Sequence, residues 1–367
     1  MKRDNFINQW WRAIDRSLVF TIIVIIIIGS TLITSASPAI ALRIHLSPSY
    51  FIYHHIVYIS IGFFVILIIS LFNEKYIRYL GTSGMAISIL LLMLVPNVGL
   101  EIKGAHRWLH IAGISIQPSE FAKIYFTIFN AIILSSSHHL KYLFSTILYT
   151  MTAILIVLEP DFGMTSIITT IFIGQLFISG IQYRYIAIAI ILFISAALIS
   201  YLTVPYVARR VDNFLHPKLE SNFQVKKSLE ALRHGGLIGV GPGEGKVKLS
   251  IPDAHTDFIF AVAAEEFGFL FCVLIISAFA FLTICSLSNI MRQQNMFHII
   301  TVIGLIIDIS IPAIINMGVS LNLLPTKGMV MPFISYGGSS IIASSIAIGV
   351  ILSLTKREFI SMGRIGQ

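Results

Sequence analysis

Charge is what this chain is short of. Only 11% of its 367 residues are Asp, Glu, Lys or Arg, against roughly 25% in a soluble domain. With 56% hydrophobic residues and a mean hydropathy of +0.88, that deficit excludes a water-soluble enzyme, a disordered chain and a fibrous repeat. Cysteine is nearly absent. Cys272 and Cys285 are too few for a disulfide framework or a Cys-rich metal site, and both lie in apolar sequence where they read as small buried hydrophobes. The histidines do not make up the shortfall: His54-His55, His106 with His110, and His138-His139 lack the further ligands that a zinc site needs. A cleavable signal peptide is not evident. Lys2, Arg3, Arg12 and Arg16 precede the first apolar block, but that block is too long for a signal core and Ser35-Ala36-Ser37 is a poor cleavage site. No internal repeat is visible, which counts against a transporter of paired halves. The glycine-rich run from Gly235 to Lys246 imitates a phosphate loop, yet Val240 and Val247 stand where Gly and Ser or Thr are required. It reads as a tight surface turn whose backbone N–H groups could approach a phosphate.

What the chain does have is apolar blocks of membrane-crossing length. Ten are read at 18–36, 51–72, 80–96, 118–136, 143–158, 162–180, 184–204, 258–287, 297–319 and 333–354; about 20 helical residues cross the hydrocarbon layer. The expected fold is an all-α polytopic membrane protein of about ten transmembrane helices with one large extracytoplasmic loop. Short-loop Lys and Arg residues set the orientation. With the N-terminus inside, the inner segments hold twelve: Lys2, Arg3, Arg12, Arg16, Lys75, Arg78, Lys141, Arg184, Arg292, Lys356, Arg357 and Arg364. The short outer loops hold four: Arg43, Lys103, Arg107 and Lys327. The expected organisation is a cytoplasmic N-terminus over 1–17, helices over 18–204, an outer loop over 205–257, helices over 258–355 and a cytoplasmic C-terminus over 356–367. The net charge of +8 is thus a topology signal, with no basic stripe for nucleic acid. The outer loop mixes Pro, Gly, charge and amphipathic stretches, so short helices packed on the outer face are expected there.

Ionisable residues within or beside spans are costly and mark function by default. Glu120 and Lys123 are three apart on one helix face and can pair, either as a structural ion pair or lining a polar cavity. They follow Gln117-Pro118-Ser119, a helix start with Pro suited to the first turn. Glu265 and Glu266 fall two turns into the eighth span, and Asp308 sits mid-span and alone; for these a structural role is favoured. Asp257 is the sharpest case. It ends Ile251-Pro252-Asp253-Ala254-His255-Thr256-Asp257 and runs at once into Phe258-Ile259-Phe260-Ala261. A half-desolvated carboxylate at that boundary suits a general base; the competing role is an N-cap of the eighth span.

Five stretches resemble those of the SEDS family (shape, elongation, division and sporulation) of polytopic peptidoglycan glycosyltransferases. They are Gly104-Ala105-His106-Arg107-Trp108-Leu109, Gln117-Pro118-Ser119-Glu120-Phe121-Ala122-Lys123, Glu159-Pro160-Asp161-Phe162-Gly163, Ala254-His255-Thr256-Asp257-Phe258-Ile259-Phe260-Ala261, and Ile334-Ser335-Tyr336-Gly337-Gly338-Ser339-Ser340. Ala264-Glu265-Glu266-Phe267-Gly268, Asn316-Met317-Gly318-Val319 and Leu324-Pro325-Thr326-Lys327-Gly328 favour the division branch over the elongation branch. Two departures, Ile251-Pro252-Asp253 for Leu-Pro-Glu and Lys227 for a common Gln, keep polar or acidic groups. The resemblance implies polymerisation of lipid II on the outer face of the cytoplasmic membrane, with Asp257 essential and catalytic. Substrate contacts are expected from Arg107, Glu120, Lys123, Lys248, His255, Lys327 and Ser335: the chemistry of a pyrophosphate leaving group calls for cations, and Arg107, Lys123, Lys248 and Lys327 are placed near the outer face. The resemblance also implies a class B penicillin-binding protein and other division proteins as partners. A pyrophosphate substrate leaves room for a divalent cation such as Mg or Mn, although the sequence has no dedicated metal cage. A lipid II flippase and a noncatalytic scaffold for a transpeptidase are the other two functions weighed.

Overall fold

The computed structural model describes residues 6–102, 105–111, 114–216 and 223–356. Lys2, Arg3, Lys103, Gly104, Arg357 and Arg364, used above, lie outside the described residues. All ten apolar blocks coincide with helices: α2 (Arg16–Arg43), α3 (Tyr50–Ser70), α4 (Glu74–Val98), α5 (Pro118–Leu134), α6 (Lys141–Leu158), α7 (Phe162–Ile178), α8 (Tyr183–Thr203), α11 (Ile259–Ile290), α12 (Met296–Ser320) and α13 (Gly338–Leu354). Seven of these are long and apolar enough to cross a membrane; α5, α7 and α13 are shorter. A short helix α1 (Phe6–Ala13) precedes them, and the long loop carries α9 (Pro205–Leu215), α10 (Phe223–Gly235) and a 3-10 turn over Val247–Ser250. The helical loop agrees with expectation.

Helix ends follow their sequence signals. The Asp15, Asn73, Asp161 and Asn295 side chains accept backbone N–H groups at the starts of α2, α4, α7 and α12, satisfying donors that a helix leaves open. Small residues then allow close packing. Gly62 of α3 meets Ser345 of α13, Gly81 and Gly84 of α4 meet Ile128 and Tyr125 of α5, and Gly304 of α12 meets Gln175 of α7. The buried core runs through α2, α5, α7, α11, α12 and α13. By contrast α8 buries only Ile186 and touches the bundle mainly through α7 and α9.

Three features depart from the sequence reading. The fold is not purely helical: β1 (Leu100–Ile102), β2 (Ala105–Ile111) and β3 (Ile114–Ile116) form an antiparallel sheet in the order β1-β2-β3 between α4 and α5. The block read from 333 begins with non-helical chain, and α13 starts only at Gly338, because Phe333 adopts a left-handed backbone with φ 62. Finally, α11 is broken at Gly268, whose φ is 80, about 14 Å along the helix from Ile259. There the glycine-rich run is more than a surface turn. Val240 and Gly241 donate N–H bonds to the carbonyls of Glu265 and Glu266, while Phe269 and Leu270 donate to Gly236 and Leu237. Backbone released by the break is therefore satisfied by protein, as apolar surroundings require. A Cβ on Gly239 would lie 2.1 Å from the Glu266 carbonyl oxygen, so only glycine permits that approach.

Candidate active site

The helices alternate in direction, which brings the loop before α11, the loop before α13, the α6–α7 turn and the small sheet to one end of the bundle. Asp257 sits there in a turn. The N-cap position of α11 is Phe258, so Asp257 is not that helix's cap. Its segment is pinned from two sides. The Ser335 hydroxyl donates to the Thr256 carbonyl at 2.7 Å and accepts the Met331 N–H. Asn316 of α12 donates to the carbonyls of Met329 and Thr256, and Tyr336 N–H donates to the His255 carbonyl. Ser335 thus holds the two loops together. The Asp257 carboxylate lies against the next loop: a Cβ built on Gly328 would be 2.8 Å from Oδ2. His255 is buried, its ring 4.6 Å from Phe51 and 5.6 Å from Tyr336.

Two of the four sequence-predicted cations gather beside this loop. Lys327, next to Gly328, reaches the Ser166 hydroxyl at 3.3 Å and packs over Gly163 at the start of α7. Burial drives its ammonium down to about 8, against the pull of Asp161 and with repulsion from Arg210 and Arg107. Arg107, on β2, donates to the carbonyls of Glu159 and Pro160 and stands 3.9 Å from the Asp161 carboxylate. Asp161 caps α7 and receives Gln117 Nε2 at 3.4 Å. Glu159 is fully buried, and neither carboxylate oxygen has a hydrogen bond. Burial raises its pKa to about 8, with Asp161 adding to the rise and Arg107 opposing it.

The other two cations are committed inside the fold. Lys123 is buried between Glu120 at 3.0 Å and Asp308 at 3.1 Å. The expected Glu120–Lys123 pair is present, and Asp308 is not alone: α12 supplies it as a third member. Lys248 is buried against Glu266 and also donates to the Ser35 hydroxyl and carbonyl. Glu265 accepts the Val247 and Lys248 N–H groups and meets His234. Both acids of α11 thereby fasten the long loop to the bundle. Among the described residues no three His, Cys, Asp or Glu side chains converge on a metal-binding position.

The family model described as "Cell cycle protein", that of FtsW, RodA and SpoVE, matches residues 15–359. The chain belongs to this family. Among its FtsW/RodA/SpoVE relatives, the probable peptidoglycan glycosyltransferase FtsW of Caulobacter vibrioides is 33% identical over 98% of this chain and 94% of its own. That of Legionella pneumophila is 31% identical over 93% and 90%. Among solved structures, a chain from a peptidoglycan synthase complex that coordinates polymerization and crosslinking superposes with a TM-score of 0.79 at 25% identity, covering 94% of this chain and 98% of that one. The rod shape determining protein RodA of Thermus thermophilus shares the fold at a TM-score of 0.71 and 24% identity, over 94% and 97%.

Sequence reasoning did not assign site roles to Glu159, Asp161, Asn316 or Gly328. The available signals were an acid pair around Pro160 at a span end and an amide inside the apolar run of α12. Gly328 gave none beyond its place after Lys327.

Proposed function

We propose that this chain is a peptidoglycan glycosyltransferase that polymerises lipid II on the outer face of the cytoplasmic membrane for septal wall synthesis. Both termini are then cytoplasmic, and the sheet, the long loop and Asp257 lie at the outer end. The observation that carries the reading is Asp257: a carboxylate on a pinned, non-helical turn at one bundle end, beside Lys327 and the Arg107–Asp161 pair. Asp257 takes the proton from GlcNAc O4 of the acceptor lipid II. O4 then attacks C1 of the terminal MurNAc of the growing chain and the C1–O bond breaks. Its electron pair leaves with undecaprenyl pyrophosphate, and C1 inverts. Carboxylates fill the comparable base role in inverting glycosidases. Arg107 and Lys327 meet the charge on the leaving pyrophosphate. Lys123 and Lys248 act instead through structure, since each is already paired with buried acid. A class B penicillin-binding protein is the expected partner, in keeping with the synthase-complex neighbour.

The test is polymerisation of purified lipid II by the purified chain, with and without its cognate transpeptidase. Wild type makes glycan strands, and Asp257→Asn makes none at equal folded yield. Strands from Asp257→Asn at the wild-type rate would remove the base assignment. Absence of strands from wild type under every partner condition, with lipid II still crossing vesicle bilayers, would move the function to transport.

A further inference from the structure

The outer start of α3 carries a pocket that the transfer chemistry does not use. It is an open groove of about 440 Å³ with mostly apolar walls, lined by Ser47, Ser49, Tyr50, Ile52, Tyr53, His54 and Ile56. The first turn of α3 carries Tyr50, Tyr53 and His54, and the turn before it carries Ser47 and the N-cap Ser49. The rings are organised. Tyr50 lies 4.2 Å from His54 across one helical turn, and Tyr53 meets His54 edge-on at 5.7 Å. His54 Nδ1 donates to the Tyr50 carbonyl at 2.8 Å, which makes Nε2 the acceptor of the neutral ring.

We propose that this pocket is a subsite for the sugar backbone of the glycan chain, deepening the glycosyltransferase reading, on which it rests. A pyranose ring has an apolar C–H face that stacks on aromatic faces, and hydroxyls at its edge that need donors and acceptors. Tyr50 and Tyr53 supply the faces; Ser47, Ser49 and His54 Nε2 supply the polar edge. Tyrosines at a bilayer boundary also serve as membrane anchors, but anchoring requires no connection to the Asp257 loop. Here one exists. The Tyr50 ring meets Phe51 at 5.3 Å, and Phe51 meets His255 at 4.6 Å and Tyr336 at 4.9 Å. His255 is two residues from Asp257, so the pocket and the catalytic turn are joined through a continuous set of rings. A strand bound there is held near the reacting end between successive additions.

The experiment uses the full chain in nanodiscs with its transpeptidase. One arm measures binding of a lysozyme-derived GlcNAc–MurNAc tetrasaccharide by NMR line broadening, and the other measures product chain length from lipid II. The double variant Tyr50→Leu with Tyr53→Leu keeps apolar bulk and bilayer contact but removes the ring faces; Tyr50→Phe with Tyr53→Phe keeps the faces. The Leu pair is expected to bind the tetrasaccharide about tenfold more weakly and to release shorter strands, and the Phe pair is expected to retain most of both. Wild-type tetrasaccharide affinity and chain length in a folded Leu pair would overturn the subsite while leaving the glycosyltransferase reading intact. A wild-type chain that makes no glycan would overturn that reading, and the subsite with it.

Discussion

Substituting Gly328 by Ala tests whether the exact seat of the Asp257 carboxylate controls the rate. The added methyl would lie 2.8 Å from Asp257 Oδ2 and 3.3 Å from Oδ1, whereas ordinary contact begins at 3.4 Å. The backbone of the Asp257 turn is held by Ser335 and Asn316, so the carboxylate gives way rather than the chain, by about 0.6 Å. A reacting group displaced by that much to 1 Å loses up to roughly 100-fold in rate. Gly328 is exposed, and surface substitutions change stability by only about 0.5 kcal/mol. The expected outcome is therefore a 10- to 100-fold fall in the lipid II polymerisation rate with an almost unchanged melting temperature in detergent. Gly337→Ala is the control: its methyl would meet Val330 at 3.2 Å and does not touch Asp257. A Gly328→Ala protein polymerising at the wild-type rate would refute the view that this wall sets the position of the base.

Lys248→Met leaves Glu266 buried and charged without its cation, which costs about 3–5 kcal/mol; thermal denaturation should show that loss, and adding Glu266→Leu should recover most of it. Lys327 loses its charge near pH 8 in the free enzyme, so kcat/KM for lipid II should fall as the pH rises through about 8. Lys327→Arg, charged throughout, should carry its activity to higher pH, and an unchanged profile would remove Lys327 from pyrophosphate binding. Glu159 has a native pKa of about 8, above its ordinary 4.5. The folded state thus holds the extra proton between those values, and wild-type stability falls as the pH rises through that window. Glu159→Gln should match wild type in melting temperature near pH 5 and exceed it above pH 8; equal melting at both would show that the buried acid is not titrating there.

Legibility differed by feature, for physical reasons. Each apolar block became a helix because a membrane-length apolar run has few other ways to satisfy its backbone. The charged exceptions were visible for the same reason, and Glu120 with Lys123 could be paired from spacing alone. Asp308 could not be paired, since its partner lies on another helix and spacing carries no tertiary information. Lys248 read as an outer-loop cation because loop residues surround it in sequence; its acid, Glu266, lies 18 residues further on, in the first segment of α11. The break in α11 was invisible too, because hydropathy stays high through Gly268 and a backbone φ leaves no trace in it. The sheet was missed because its strands have three, seven and three residues, too short for alternation to stand out.

The placement of buried charge also bears on the choice between polymerase and flippase. A translocation path for a pyrophosphate headgroup needs open polar groups near mid-membrane that can exchange partners. In this bundle the inner ionisable groups are closed on one another: Lys123 with Glu120 and Asp308, and Lys248 with Glu266. Nearer the opposite end, Asn130 donates to Gln175 and accepts from Ser145, and Gln175 donates to the Thr127 carbonyl. Opening the Lys123 and Lys248 ion pairs to a headgroup would strand buried charges at several kcal/mol each. The less committed cations, Arg107 and Lys327, are instead gathered at the end that holds Asp257, where a headgroup anchored in the adjacent leaflet reaches them without crossing the bundle. That distribution favours chemistry at one face over passage between two.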